Sequence, residues 1–152
     1  MNGVIVVREF RPDDADEAVA RWHETNVRTY TYAAEHQRHT LDDARRFFTG
    51  VVVPTCDVMV AERDGRRAAV LAQEGCWIRQ LAVFDGHRRC GVGRALVAAA
   101  RVRSPDELRL FTFQRNVAAR AFYEADGFVA VRFGTSPAPE SEPDVEYRWT
   151  RS

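Results

Sequence analysis

One stretch of the chain decides the fold: residues 76–113, which read CWIRQLAVFDGHRRCGVGRALVAAARVRSPDELRLFTF. An apolar run at residues 76–84 predicts a strand, and a second run at residues 108–113 predicts another. Between them lie a loop rich in glycine and arginine and a helical pattern that starts at Gly91. A strand, a crossover helix and a second strand predict two parallel, adjacent strands. Ligands bind at the carboxyl ends of such strands, so the loop is the natural ligand site.

The flanking sequence completes one domain, which we expect to span residues 1–152. It contains no internal repeat and no low-complexity segment. In chain order the patterns predict a strand at 4–7, helices that start at Pro12 and Thr40, strands at 58–62, 68–73 and 76–84, a helix from Gly91, a strand at 108–113, a helix at 116–126, and strands at 128–133 and 145–150. This order predicts an α+β fold with a mixed, mostly antiparallel sheet of about seven strands and four helices.

The composition excludes several classes of function. All 22 basic residues are arginine, so Schiff-base chemistry on lysine and a lysine-containing nucleotide-binding loop are excluded. The 22 acidic residues give a formal net charge of zero, which argues against a nucleic-acid partner. Three cysteines without a paired spacing are typical of reduced thiols, and residues 1–10 predict neither a signal peptide nor a membrane span. We therefore expect a cytoplasmic protein with no membrane partner.

The loop before the crossover helix has the features of a phosphate-binding site. Gly91 and Gly93 let the backbone approach a ligand, and the N–H groups of a helix N-terminus attract anions. Arg88, Arg89 and Arg94 add positive charge. The loop lacks the lysine of a P-loop and the third glycine of a dinucleotide fingerprint. A glycine-rich turn before a packed helix is the alternative interpretation.

The helix at residues 116–126 adds a second candidate surface. Asn116, Ala119 and Tyr123 share one edge at i, i+3 and i+7, so a thin ligand could lie along it. The pattern predicts a separate apolar face made by Ala118, Ala121, Phe122 and Ala125. A helix cap at Asn116 and a partly exposed Tyr123 would explain the same residues without a ligand.

Taken together, these residues resemble the GNAT N-acetyltransferases. The likeness rests on three segments in matching order, which are Leu81-Ala82-Val83, Arg88-x-x-Gly91-x-Gly93, and Asn116-x-x-Ala119-x-x-Phe122-Tyr123-Glu124 followed by Gly127-Phe128. They cover about half of the chain, and the order of elements extends the likeness over nearly all of it. The resemblance implies a twisted GNAT-like sheet, a splayed parallel pair at strands four and five, and acetyl-CoA as co-substrate.

The resemblance also implies roles for single residues. The backbone of residues 81–83 would pair with the pantetheine arm of acetyl-CoA, and an N–H near Val83 would polarise the thioester carbonyl. The loop would bind the pyrophosphate, Asn116 would bind the pantetheine, and Tyr123 would protonate the departing thiolate as general acid. The implied binding set is Leu81, Ala82, Val83, Arg88, Arg89, Cys90, Gly91, Val92, Gly93, Arg94, Asn116, Ala119 and Tyr123. The resemblance implies direct transfer with no covalent enzyme intermediate, and the absence of a nucleophile elbow and the position of Cys90 among the loop residues fit this.

The sequence leaves the general base open. Family members often carry an acidic residue just before the Leu-x-Val segment, where this chain has Arg79 and Gln80. The remaining candidates are Glu62, Glu74, His23, His36 and His39. His36 and His39 have no third ligand at a suitable spacing, so we expect no metal site.

The acceptor is expected to be a primary amine of a small molecule or peptide. Residues 29–39, rich in aromatic and polar groups, would wall its pocket, and the acidic loop at residues 140–144 would favour a cation, although a solvated loop explains these acids equally well. Two alternatives stay open, namely an acetyl-CoA-binding sensor or assembly module without turnover, and an enzyme acting on a protein N-terminus or aminoacyl-tRNA. The alternating last strand, residues 145–150, could pair or pack with a second copy, and the resemblance implies a homodimer.

Overall fold

The computed structural model describes residues 3–152. Its strands are β1 (Ile5–Glu9), β2 (Asp57–Arg63), β3 (Arg66–Glu74), β4 (Trp77–Val83), β5 (Glu107–Phe113), β6 (Val129–Thr135) and β7 (Pro143–Thr150). Its helices are α1 (Ala15–Thr29), α2 (Ala34–Arg38), α3 (Leu41–Phe47), α4 (Val53–Thr55), α5 (Val92–Arg103) and α6 (Val117–Ala125). A 3₁₀ turn precedes α1 and a π-helical turn joins α3 to α4. The predicted α+β fold is confirmed, with the short α2 and α4 in addition to the four expected helices.

The seven strands form one mixed sheet in the order β1-β2-β3-β4-β5-β7-β6. β4 and β5 are parallel, as predicted, and the other neighbours are antiparallel. β7 lies between β5 and β6, so both of its backbone edges are used within the sheet. Pairing of the last strand with a second copy, one of the two contacts that the sequence allowed, is therefore wrong, whereas packing against a second copy and a homodimer stay predictions.

Helices cover the sheet on two sides. On one side, α5 and α6 pack on a buried core that includes Leu96, Leu108 and Tyr147. On the other side, a second cluster joins Trp22 of α1 to Phe48 after α3. None of the helices within residues 3–152 is long and apolar enough to cross a membrane.

A buried ion-pair network fixes the start of α1 to the sheet. The Asp14 side chain is fully buried, and its Oδ1 accepts hydrogen bonds from Arg8 Nη2 at 2.8 Å and Arg67 Nε at 2.7 Å. Its Oδ2 accepts a further bond from the backbone N–H of Arg11 at 2.7 Å. The two guanidinium groups hold the pKa of Asp14 well below its usual range. The carboxylate therefore stays charged and anchors the start of α1 to β1 and β3.

Candidate active site

β4 and β5 separate directly after they meet. Within residues 3–152, the two strands are paired only at Trp77 and Arg109, where the Arg109 N–H donates to the Cys76 carbonyl at 2.8 Å. The predicted splay is thus confirmed. Its cause is a bulge in β4: Gln73 of β3 faces Ile78 while Ala72 faces Gln80, so Arg79 has no partner. A bulge bends and twists the strand that carries it, which turns β4 away from β5.

The splay leaves backbone groups of β4 without a strand partner. The N–H of Phe84 donates to Ala68 in β3 at 2.9 Å. Because backbone groups alternate sides along a strand, the N–H and C=O groups of Leu81 and Val83 point the other way, into the gap toward β5. An extended chain with amide groups could pair with them.

The N-terminus of α5 opens beside this gap. Gly91 is the N-cap residue and has φ 88°, a conformation that favours glycine. Within the described chain, the N–H groups of Val92, Gly93 and Arg94 have no acceptor, so they can bind an anion. A Cβ on Gly93 would lie 3.3 Å from Val83 Cγ2, which shows how closely α5 approaches β4. The structure therefore explains why glycine occupies both positions of the motif: Gly91 has a positive φ, and Gly93 leaves room for Val83.

The arginines of the loop are only loosely held. Arg88 is 57% exposed and its Nη2 lies 3.7 Å from Asp85 Oδ1. Arg94 is 71% exposed, with its Nε 3.9 Å from Asp126 Oδ1. Arg89 is exposed as well and has φ 59°. These side chains are available to a phosphate group.

Arg63 braces the same loop, and the sequence did not indicate it. Its guanidinium contacts Cys90 Sγ through Nη1 and donates to the Gly86 carbonyl through Nη2 at 3.1 Å. The Cys90 thiol in turn donates to the Arg88 carbonyl at 3.3 Å. Arg63 ends β2, far from the loop in sequence, so only the sheet topology brings them together. Cys90 acts here as a structural group of the loop.

The orientation of α6 differs from the prediction. Ala118, Ala121 and Ala125 are exposed, whereas Tyr123 is 7% exposed and belongs to the main core. The expectation of an alanine-rich inward face is therefore wrong, although Phe122 is partly buried as expected. Burial of the Tyr123 ring removes far more apolar surface from water than burial of an alanine methyl, so it sets the rotation of the helix.

Asn116 and Tyr123 nevertheless lie on one edge of the site. Asn116 caps α6, because its Oδ1 accepts from the Ala119 N–H at 3.2 Å. The Tyr123 hydroxyl has no hydrogen-bond partner within residues 3–152, and burial raises the pKa of Tyr123 well above its usual value. Tyr30, at the end of α1, approaches both residues: burial raises the pKa of Tyr30, and a hydrogen bond with Asn116 partly offsets this. The site thus contains two protonated phenols.

Residues 29–39, which the sequence predicts to wall an acceptor pocket, contribute to an aromatic cluster on the α1 side of the sheet; their role as a pocket wall stays a prediction. Tyr30, Tyr32 and His36 surround Phe113 of β5 at ring-centroid distances of 5.2, 6.0 and 5.8 Å. His36 Nε2 lies 2.9 Å from Glu140 Oε2, and this contact lowers the pKa of Glu140. The aromatic segment at residues 29–39 and the acidic loop at residues 140–144, which the sequence analysis gave no reason to join, are therefore in direct contact.

Two buried carboxylates of β7 share this face. Val145 and Tyr147 point into the core under α6, so Asp144 and Glu146 point to the opposite side. Glu146 is paired with Arg109 and Arg132 at 3.5 and 3.4 Å. Asp144 is the cross-strand partner of Phe113 and forms no ion pair within residues 3–152, and burial raises its pKa. The sequence predicts Asp144 as part of the acidic loop, and nothing in the sequence distinguishes its role from that of the neighbouring acidic residues.

The base candidates from the sequence fall into two groups. Glu62 is bound to Arg8 at 2.6 Å, and Glu74 is bound to Arg79 at 3.1 Å in the hairpin before β4. His36 lies in the aromatic cluster, with the His39 ring 6.2 Å away. No cluster of three metal-ligating side chains occurs in the part of the chain that the structure describes.

This chain belongs to the GNAT acetyltransferase family. The family model of the acetyltransferase (GNAT) domain matches residues 54–130, which contain the splayed strands, the loop and Tyr123. The protein is therefore an acyltransferase whose family uses acetyl-CoA as co-substrate.

Among curated proteins, it is similar to the peptidyl-lysine N-acetyltransferase YjaB of Escherichia coli (strain K12), with 32% identity over 127 residues and 82% of each chain covered. The solution structure of apo-form YjaB matches with a TM-score of 0.80 and 24% identity over 98% of this chain and 99% of that one. A crystal structure of a GCN5-related N-acetyltransferase from Rhodopseudomonas palustris matches with a TM-score of 0.75 and 18% identity over 98% and 97% of the two chains. These structures share the fold.

Proposed function

We propose that this protein transfers the acetyl group of acetyl-CoA directly to the side-chain amine of a lysine in a peptide or protein. The gap between β4 and β5 carries the proposal, because unpaired backbone groups, helix N–H groups and a protonated phenol surround one space. The relative YjaB, named a peptidyl-lysine N-acetyltransferase, supports this acceptor class.

The binding residues implied by the sequence fit the parts of acetyl-CoA. Leu81 and Val83 offer backbone groups to the amides of the pantetheine arm, and Asn116 offers the N–H₂ of its side chain. The N–H groups of residues 91–94 and the guanidinium groups of the loop match a pyrophosphate in charge and hydrogen bonding. The small side chain of Ala119 leaves room for the pantetheine arm along this edge of α6.

The chemistry assigned to these residues is donation of hydrogen bonds and of one proton. Acetyl-CoA supplies a thioester, and we assign the N–H of Val83 the donation of a hydrogen bond to its carbonyl oxygen. Tyr123 holds a proton on Oη at neutral pH, because its pKa is raised. As negative charge builds on the sulfur, the hydroxyl donates to it and then passes its proton on.

The acceptor amine is assigned to the face with Asp144. A lysine stem can pack on Tyr30 and Phe113, while its ammonium meets the Asp144 carboxylate. Asp144 forms no ion pair within residues 3–152, and although the charge of Arg132 opposes it, burial raises the pKa of Asp144, which makes it a better proton acceptor than an exposed aspartate. We therefore assign it the binding of the ammonium and the removal of its proton.

The test is release of CoA thiol from acetyl-CoA with a peptide that contains one lysine and an acetylated N-terminus. We expect thiol release and a peptide mass gain of one acetyl group, and neither with the same peptide carrying arginine in place of lysine. The chain itself has no lysine, so acetyl-lysine found by mass spectrometry comes from the peptide. Turnover with small amines but not with the peptide would contradict the acceptor class.

A binding module without turnover is the second candidate. The observation that favours it is Arg79, which takes the place of the usual acid, forms the bulge and pairs with Glu74 at 3.1 Å. Tight binding of acetyl-CoA with no turnover on peptides or small amines would support this function over catalysis.

A further inference from the structure

A second cleft, of about 440 Å³, lies on the other side of the loop, toward α1 and the β2–β3 hairpin. It is separate from the gap between β4 and β5, although both involve the loop. We name it the arginine cleft, because four guanidinium groups line it together with residues of the loop, of the hairpin and of α1: Glu17, Arg21, Arg63, Gly65, Arg66, Arg67, Asp85, Gly86 and His87.

The arginine cleft has an excess of positive charge. Its two lining carboxylates are already engaged: Glu17 binds Arg67 at 2.8 Å and Arg21 at 3.1 Å, and Asp85 pairs with arginines outside the cleft. Arg63 donates only to a carbonyl and a thiol, and Arg66 is exposed. Within residues 3–152, neither Arg63 nor Arg66 forms an ion pair. Two guanidinium groups therefore face the cleft without an anion.

His87 provides an independent sign of a ligand. Its side chain is buried, with 8% exposure, yet its Nδ1 has no hydrogen-bond partner within the described residues. Buried polar atoms are almost always paired, so the unpaired nitrogen of this cleft-lining residue needs an explanation. Burial lowers the pKa of His87, and Arg63, Arg21 and Arg66 lower it further. The ring is thus neutral and sits in a positive field.

We propose that the arginine cleft binds the phosphate group of a phosphate ester, at a site distinct from the one assigned to the pyrophosphate of acetyl-CoA. The planar guanidinium fork donates two parallel hydrogen bonds to phosphate oxygens; Arg66 offers such a fork, and Arg63 offers its charge and the N–H groups that its bonds to Gly86 and Cys90 leave free. His87 adds a neutral ring that can donate or accept one bond. The phosphate belongs either to a separate ligand or to the 3′-phosphate of a CoA molecule bound along the loop, since Gly86 borders both places.

The direct test titrates ¹⁵N-labelled protein with inorganic phosphate at constant ionic strength and follows the Gly65 and Gly86 amides and the His87 ring. We expect saturable shifts at these groups. Arg66→Gln should weaken the phosphate Kd by about fivefold or more, because it removes one charged fork. Arg46→Gln, an exposed arginine of α3 outside the cleft, should leave the Kd unchanged. Shifts that do not saturate, or that are equal in wild type and Arg66→Gln, overturn the proposal.

Comparison of CoA with 3′-dephospho-CoA identifies the source of the phosphate. If the 3′-phosphate of CoA fills the cleft, CoA binds more tightly than dephospho-CoA in the wild type, this preference is smaller in Arg66→Gln, and CoA excludes inorganic phosphate. If a separate ligand fills it, inorganic phosphate binds the CoA-saturated protein as tightly as the free protein and keeps its sensitivity to Arg66→Gln. The peptide assay does not enter this test, so loss of the proposed acetyl transfer and loss of the phosphate site are distinguishable.

Discussion

Replacement of Tyr123 by phenylalanine separates catalysis from folding. The Tyr123 ring packs on Phe122 and Phe128 at centroid distances of 5.2 and 5.4 Å, and phenylalanine keeps these contacts. The hydroxyl has no hydrogen-bond partner within residues 3–152, so its removal breaks no hydrogen bond. We expect the Tm of Tyr123→Phe to stay close to that of the wild type.

The effect of Tyr123→Phe on turnover should be large. Loss of a general acid lowers rates by about 10²- to 10⁴-fold, which corresponds to about 3–5 kcal/mol of transition-state stabilisation. The assay is steady-state thiol release with a lysine peptide, together with calorimetry of acetyl-CoA binding, where the Kd should stay near the wild-type value. Because burial raises the pKa of Tyr123, the acid stays protonated, and wild-type kcat should not fall between about pH 7 and pH 10.

Tyr147→Phe is the matched control. The Tyr147 hydroxyl donates to Glu124 and accepts from Arg120 Nε at 3.1 Å, within the core. Its removal should cost about 2 kcal/mol of unfolding free energy and leave kcat unchanged per folded molecule. Wild-type turnover in Tyr123→Phe, or an equal loss of kcat in both variants, would refute the assignment of Tyr123 as the acid.

Three further perturbations test other parts of the structure. Gly91→Glu should abolish acetyl-CoA binding measured by calorimetry. The control Gly75→Glu, which meets the same positive-φ strain in a distant hairpin, should only lower stability. Equal acetyl-CoA affinity in both variants would argue against the loop as the binding site. Asp144→Asn should lower kcat/KM for a lysine peptide by about tenfold or more without changing the acetyl-CoA Kd, and an unchanged kcat/KM would remove Asp144 from the acceptor site. Asp14→Asn should cost about 3 kcal/mol at pH 7. The folded pKa of Asp14 lies below its unfolded value, so its contribution to stability is present above the unfolded pKa and is lost as the pH falls through the folded pKa. Urea unfolding from pH 7 to pH 3 should therefore show a smaller loss of unfolding free energy in Asp14→Asn than in the wild type. An equal loss in the two proteins would contradict this.

Features set by neighbouring residues could be predicted from the sequence. Thr40 and Asp43 form the expected capping box at α3, with hydrogen bonds of 3.1 and 2.9 Å, because both partners lie within one turn. Gly91 takes the positive φ that the start of α5 requires. The prediction of the splay came from the resemblance of the motifs to a known family. The physical cause of the splay, the bulge at Arg79, depends on the register of β4 with β3.

Features that depend on packing and register could not be predicted. The predicted rotation of α6 was wrong because alanine fits either a buried or an exposed face, so the pattern of alanines carries little information about the orientation of the helix. Arg63 reaches Cys90 and Gly86 only because β3 brings the β2–β3 hairpin beside the end of β4. Likewise, the insertion of β7 between β5 and β6 places Asp144 opposite Phe113, a contact between residues 31 positions apart.

Amide hydrogen exchange along β4 tests the central claim most directly. Leu81 and Val83 point their N–H groups into the gap, whereas the alternate residues Ala82 and Phe84 point theirs toward β3. If the gap holds the pantetheine arm, saturating acetyl-CoA should slow exchange at Leu81 and Val83 and leave Ala82 and Phe84 nearly unchanged. Protection at all four amides, or at none of them while acetyl-CoA is bound, would contradict the account.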